Sequence, residues 1–192
     1  MHRSPFVIII SGPPGSGKTT VAKLLAQRYE RAVCMETDWF WTTITKGFVA
    51  PWKLEAKQQN RVIVRSFAAA AALIAGGGYP VILDGIVGPW NLEIVNHEFE
   101  IRNVESDFIV LRPARDVALR RARSRSGEER IEGHRALTDE EPILHMWDQF
   151  AHLGQYEAKV IDNSDLDPHQ TEALVWNRIS TPDAGGTRSR FR

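Results

Sequence analysis

Residues 12 to 19 read GPPGSGKT, and their types and spacing are those of a phosphate site. Three glycines in eight positions let the backbone approach an anion closely and take φ values that a Cβ forbids. Successive N–H groups of such a loop turn inward, and a helix beginning near Gly17 adds its positive dipole end. Gly12, Pro13, Pro14, Gly15, Ser16 and Gly17 are therefore expected to wrap a polyphosphate, with Thr20 in the first helical turn. Lys18 supplies a cation for the β- and γ-phosphates of ATP, and Thr19 offers a hydroxyl to Mg²⁺. The spacing Gly-x-x-x-x-Gly-Lys-Thr has the context its chemistry requires, an apolar strand before it and a helical pattern after it.

Three other groups are candidates for the same site. Asp84 ends the apolar run VILD, a parallel strand expected beside the first, where a carboxylate would hold Mg²⁺ directly or through water. Its pairing with Gly85 equally suits a simple turn. Asp38, in ETDWFW, is expected at the end of the second strand, either as the base that takes or orients the proton of an attacking hydroxyl or as a turn acid. Arg120, Arg121, Arg123, Arg125 and Arg130 form a basic run. Arg121 and Arg125 are four apart and share a helix face, which reads either as a solvated surface or as cations for a transferring phosphoryl group.

The elements that must position these groups alternate along the chain. Phe6 to Ile10 is a β-branched run of the kind buried on both faces of a sheet. A helix is expected over residues 17–29, a second strand in RAVCMET ending at Asp38, and a long alanine-rich helix from Lys53 to Ala75 stopped by Gly76 to Gly78. YPVILDG reads as a third strand, Asn91 to Glu98 as a short helix, DFIVLRP as a fourth strand and RDVALRRARSR as a basic helix. The capping pattern Thr138-x-x-Glu141 opens another helix, AKVIDNS is a fifth strand, and Pro168 to Ile179 a last helix with proline in its first turn. Strands alternating with helices give βαβ units. The expected fold is α/β: a three-layer P-loop NTPase fold, a five-stranded parallel sheet flanked by helices, with a small mobile lid over about residues 124–138. Residues 1–180 form one domain, and 181–192 lack apolar periodicity and read as a disordered tail.

The whole-chain properties exclude several classes. With 192 residues, one core of ordinary size is expected. Twenty-four basic residues balance 24 acidic ones, so no global field recruits nucleic acid or an anionic membrane. The single cysteine, Cys34, excludes an internal disulfide and reads as a buried strand residue of a cytoplasmic protein. MHRSPFVIIISG does not read as a signal peptide, and no stretch has the ~20 apolar residues needed to span a bilayer.

GPPGSGKT, Asp38 after the second strand, the arginine-rich segment and the closing VIDNSDLDP together resemble the small-molecule P-loop kinases. These include the gluconate kinase, shikimate kinase and chloramphenicol phosphotransferase group, which share the nucleoside monophosphate kinase fold. The resemblance runs from about Phe6 to Ile179. It implies an ATP-dependent phosphotransferase with Mg²⁺, ATP and a small-molecule acceptor as partners, as monomer or homodimer. It also implies that Asp38 lies where such enzymes keep a base. The turn from Asp162 to Pro168 would pack against adenine, with Arg121 stacking on that ring. Two departures bear on the acceptor. The glycine triplet precedes the third strand instead of following it, and WFW follows Asp38 where a second carboxylate would mark a shikimate kinase. Trp39, Phe40, Trp41, Phe48 and Trp52 read either as an acceptor surface or as a core beneath a loop. Among rivals, a switch GTPase would need Asn-Lys-x-Asp, which is absent, and an AAA-type mechanical ATPase would need a further helical domain. A nucleoside or nucleotide kinase shares the whole fold.

Overall fold

The computed structural model describes residues 6–124 and 139–180. Five strands are present: β1 (Phe6–Ser11), β2 (Val33–Glu36), β3 (Val81–Asp84), β4 (Glu105–Leu111) and β5 (Val160–Ile161). They alternate with helices α1 (Lys18–Ala26), α2 (Asp38–Thr42), α3 (Lys57–Gly76), α4 (Pro89–Glu100), α5 (Arg115–Arg123), α6 (Glu140–Gln149) and α7 (Pro168–Ser180). The sheet order is β2-β3-β1-β4-β5, and every pairing is parallel.

The period of two along β1 divides its side chains between two cores. Val7 and Ile9 join α3 and α4 through Phe67, Ala71, Leu92 and Phe99, while Ile8 and Ile10 join α1 and α7 through Val21, Leu25 and Val175. The sheet is thus the middle of three layers, as the continuous apolar run of β1 requires. Alanines 68, 71, 72 and 75 give α3 a buried face of small residues. Gly76 closes α3, and Gly78, at φ 88°, takes the left-handed conformation that ends it. Ion pairs also tie the helices within each outer layer. Arg28, in the turn after α1, holds Glu172 of α7 through two bonds of 2.6 and 2.8 Å. The buried Glu98 carboxylate of α4 accepts from Arg65 at 2.6 Å and from Arg102 at 2.5 Å. Desolvation pushes the Glu98 pKa up, but the two guanidinium groups outweigh it and the net shift is downward.

Several boundaries depart from the sequence expectations, each for a local reason. β2 stops at Glu36, and Asp38 opens α2 instead of ending the strand: Thr37 turns into helical conformation (φ −66°, ψ −30°) and its carbonyl accepts the Phe40 N–H. A single turn of 3-10 helix at Leu54–Ala56 precedes α3, which starts at Lys57. α4 is longer than expected because Pro89 pre-sets its first turn. α6 begins with Asp139 as its N-cap; Thr138 lies outside the described residues. β5 keeps only two residues, since Gly154–Lys159 coils into 3-10 turns and the Asp162 carboxylate takes the Ser164 N–H beyond it.

Candidate active site

The register brings the carboxyl ends of the strands into line. Ile10 pairs with Asp84, Glu36 pairs with Asp84, and Leu111 pairs with Ile161. β1 leaves this edge into α1 on one face of the sheet, and the neighbouring β3 leaves into α4 on the other. Adjacent strands that depart to opposite faces open a crevice between them, and the residues at its mouth are those following β1 and β3.

After β1 the loop follows the path its glycines dictate. A Cβ on Gly12 would lie 2.1 Å from the Leu111 carbonyl oxygen, and one on Gly15 would lie 2.0 Å from that of Ala118. The loop therefore rests against the end of β4 and the backbone of α5 with no space for a side chain. Both residues also have positive φ, 144° and 78°. Pro13 and Pro14 shape the turn, and the Pro13 carbonyl accepts from Ser16 N–H at 3.2 Å and from Lys18 Nζ at 3.0 Å. Lys18 is 9% exposed, so its ammonium lies within the loop. α1 then starts with Gly17 as N-cap and no side-chain cap, directing its dipole end at the loop; Thr19 and Thr20 lie in its first turn.

Asp84 faces this loop. It is 3% exposed, and its Oδ1 is buried with no hydrogen-bond partner among the described residues. Burial raises its pKa, opposed by the Lys18 charge and a hydrogen bond with Thr19, and assisted by repulsion from Asp38 and Glu36. Lys18, Thr19, Asp84 and Asp38 are thus electrostatic neighbours. A hard cation fits this donor set: a hydroxyl and a buried carboxylate with an unused oxygen, at the N-terminus of a phosphate-type loop. Asp38 is held beside Asp84 because the Thr37 N–H bonds the Asp84 carbonyl at 2.7 Å. Gly85 is required beneath it, since a Cβ there would fall 1.8 Å from Thr37 Oγ1.

The other edge of the loop meets the turn after β5. Arg121 Nη2 donates to the carbonyls of Asn163 (3.2 Å) and Ser164 (3.0 Å). Asp162 Oδ1 accepts from Ser164 N–H at 2.9 Å and from Ser164 Oγ at 2.5 Å, so its carboxylate shapes the turn. Pro168 opens α7. Arg121 and the turn from Asp162 are therefore in contact, whereas Arg125, Arg130 and residues 125–138 of the expected lid lie outside the described residues. The tail from residue 181 lies outside them too.

The aromatic cluster divides. Phe40 and Trp41 pack on Phe67 with ring centroids 6.1 and 6.0 Å away, partly buried against the edge of the core. Trp39 is 56% exposed beside Asp38, and Phe48 and Trp52 are exposed on the following loop. That loop is pinned to α3: Gln59 donates to the Val49 carbonyl and accepts its N–H, and Asn60 donates to the Pro51 carbonyl and accepts from Trp41 Nε1. Cys34 on β2 packs against the α1/α7 layer, where desolvation, then the charges of Asp84 and Glu36, push its thiol up to about 11.

Sequence reasoning alone does not single out Ser11, Thr37 or Asn163. Ser11 Oγ donates to the Val87 carbonyl at 2.7 Å and accepts its N–H at 3.0 Å, fixing the loop beyond Asp84. Each is a small polar residue at the carboxyl end of a strand, the one signal that could have flagged it.

A family model described as AAA domain matches residues 8–142. At the level of sequence no curated protein matches the chain. Among solved structures, the tunicamycin resistance protein of Deinococcus radiodurans superposes with a TM-score of 0.66 at 18% identity, over 92% of this chain and 96% of that one. The APS kinase of Mycobacterium tuberculosis in complex with AMPPNP and APS gives 0.64 at 15% identity, over 93% and 99%. A sugar kinase from Janibacter gives 0.57 at 24% identity, over 93% and 96%. The family's description shares its name with the mechanical ATPases set against the sequence above, whereas these neighbours share the fold and two of the three are kinases. The chain belongs to the AAA domain family, and its fold is that of the P-loop kinases.

Proposed function

We propose that the protein is an ATP-dependent phosphotransferase that moves the γ-phosphoryl group of ATP to a hydroxyl of a small molecule. The observation that carries this reading is the meeting of Lys18, Thr19, Asp84 and Asp38 at one sheet edge, with a buried Asp84 oxygen that has no partner among the described residues. Backbone N–H groups from Gly15 to Thr20, the two prolines having none to offer, and the Lys18 ammonium bind the phosphates. The Thr19 hydroxyl and Asp84 carboxylate hold Mg²⁺, whose charge offsets that of the β- and γ-phosphates when it is bound. Arg121 and the turn from Asp162 to Pro168 receive adenine, and Arg125, outside the described residues, is a second candidate cation for the transferring phosphoryl group. The acceptor lies beside Asp38, where exposed Trp39, Phe48 and Trp52 suit a molecule with a ring face. Its oxygen bonds the γ-phosphorus as the bond to the bridging oxygen breaks, the electron pair leaves with ADP, and the hydroxyl proton passes to Asp38.

The family's name favours one alternative, an ATPase without an acceptor, and one experiment separates the two. ADP release is screened against sugars, nucleosides, nucleotides and aromatic alcohols, and Asp38→Asn is then tested with the acceptor found. Asp38→Asn should keep ATP affinity and lower kcat by roughly 10²–10⁴-fold, the range of a positioned acid–base group. Turnover within a few-fold of wild type would return Asp38 to the role of a turn residue. ADP release indifferent to every acceptor would favour the ATPase.

A further inference from the structure

The turn after β5 reaches the phosphate loop through one side chain. Asn163 is 3% exposed, and its Nδ2 donates to the Ser16 carbonyl at 2.9 Å across 147 positions of sequence. This orientation of the amide is dictated by its partner, because exchanging oxygen and nitrogen would set two acceptors against each other. Its Oδ1 is buried with no hydrogen-bond partner among the described residues. A buried amide half of whose capacity is unmet destabilises a fold relative to an apolar side chain of similar size, so its presence calls for a reason beyond packing.

The reason lies in the geometry of the peptide it holds. No peptide among the described residues is cis, and a planar trans peptide points its C=O and its N–H in opposite directions. Fixing the Ser16 carbonyl toward Asn163 therefore fixes the Gly17 N–H away from it. The bond also polarises that peptide and makes its N–H a stronger donor. Asn163 is in turn held from the base side, since its own carbonyl accepts from Arg121, and the next residue, Ser164, accepts from Ala114 N–H at 2.8 Å.

We propose that Asn163 is a positioning residue for the polyphosphate, aiming the Gly17 N–H through the Ser16 carbonyl. This rests on the phosphate-loop reading above. It makes the turn after β5 serve phosphate as well as base, and the two ligand halves should differ in their response to its loss.

The test measures affinities for inorganic tripolyphosphate, ATP and adenosine by calorimetry on wild type, Asn163→Ala and Asn163→Asp, with thermal melts to confirm folding. Asn163→Ala should weaken tripolyphosphate and ATP about tenfold, the scale of one hydrogen bond to a charged ligand, and leave adenosine within twofold. Asn163→Asp should be worse at neutral pH, because a carboxylate faces the Ser16 carbonyl and adds negative charge near the phosphates. A protonated carboxyl can donate again, so its defect relative to wild type should shrink as pH falls, while that of Asn163→Ala should not. A merely structural residue would show no such pH-dependent recovery. If wild type binds tripolyphosphate and Asn163→Ala binds it equally, or if adenosine loses as much as tripolyphosphate, the inference falls and the phosphate loop stands. If wild type binds no tripolyphosphate, the loop assignment fails and takes the inference with it.

Discussion

Asp84→Asn should make the ligand-free protein more stable and a poorer binder of Mg²⁺-ATP, two effects of opposite sign from one substitution. The stability half follows from the upward pKa shift that burial imposes on this carboxyl. An acid whose pKa is higher folded than unfolded binds more protons in the native state, so stability declines as pH rises from the unfolded value, 3.8, through the folded one. Above that window its ionised form burdens the fold by about 1.36 kcal/mol for every tenfold difference in proton affinity between the folded and unfolded chains. Asparagine keeps the shape and an acceptor for Thr19 and Lys18 but removes the buried charge and the repulsion from Asp38 and Glu36. For a chain of this size, each 1 kcal/mol moves Tm by roughly 2–4 °C, so Tm should be higher than that of wild type at pH 7, the difference vanishing near pH 3. The binding half follows from loss of the charged oxygen: Mg²⁺-ATP affinity should fall by roughly 10–100-fold, as for a charged partner worth about 1.5–3 kcal/mol. Differential scanning calorimetry across pH and titration calorimetry with and without Mg²⁺ read the two effects separately. A lower Tm at neutral pH would refute the electrostatic account of Asp84, and unchanged Mg²⁺-ATP affinity would refute its role at the metal.

Lys18→Ala should remove most ATP affinity while the domain stays folded, because its ammonium is held over the loop and not in either apolar core; titration calorimetry on the folded variant decides. Thr19→Val keeps the shape of the side chain but loses the hydroxyl, so Mg²⁺-dependent nucleotide binding should weaken more than binding measured in chelator; equal losses would point to packing. Adenine nucleotides should outcompete guanine nucleotides in a displacement assay, since the guanine-reading Asn-Lys-x-Asp is absent and Arg121 meets the turn from Asp162. A guanine preference would overturn this.

What could be read from the sequence and what could not divide along physical lines. β1 was legible because a strand buried on both faces must be apolar throughout, and its glycine loop because phosphate binding restricts residue types as well as spacing. The placement of Asp84 beside β1 also followed, since parallel βαβ units bring the ends of their strands to one edge. The end of β2 was not legible. Whether Thr37 continues the strand or turns into α2 depends on its bond to Asp84, a contact between residues 47 positions apart. The fate of the aromatics was hidden for the same reason: Phe40, Trp41 and Trp39 are chemically alike, and the position of Phe67 on α3 partly covers the first two and leaves the third exposed. Asn163 left little mark because one buried amide has no periodicity. Its meaning lies in a partner at the other end of the chain.

Cys34 is half-buried on the edge strand β2, less enclosed than its sequence context suggests, and this has a practical side. It is the chain's single cysteine, and its thiol is pushed up to about 11, whereas an ordinary exposed thiol titrates near 8.5. At pH 7.5 the thiolate fraction of an added surface cysteine would exceed that of Cys34 by roughly 300-fold. The natural chain is thus close to a blank background for thiol chemistry. A maleimide dye or spin label could be placed on α2 beside Asp38, or on α5, without first removing the native cysteine from β2.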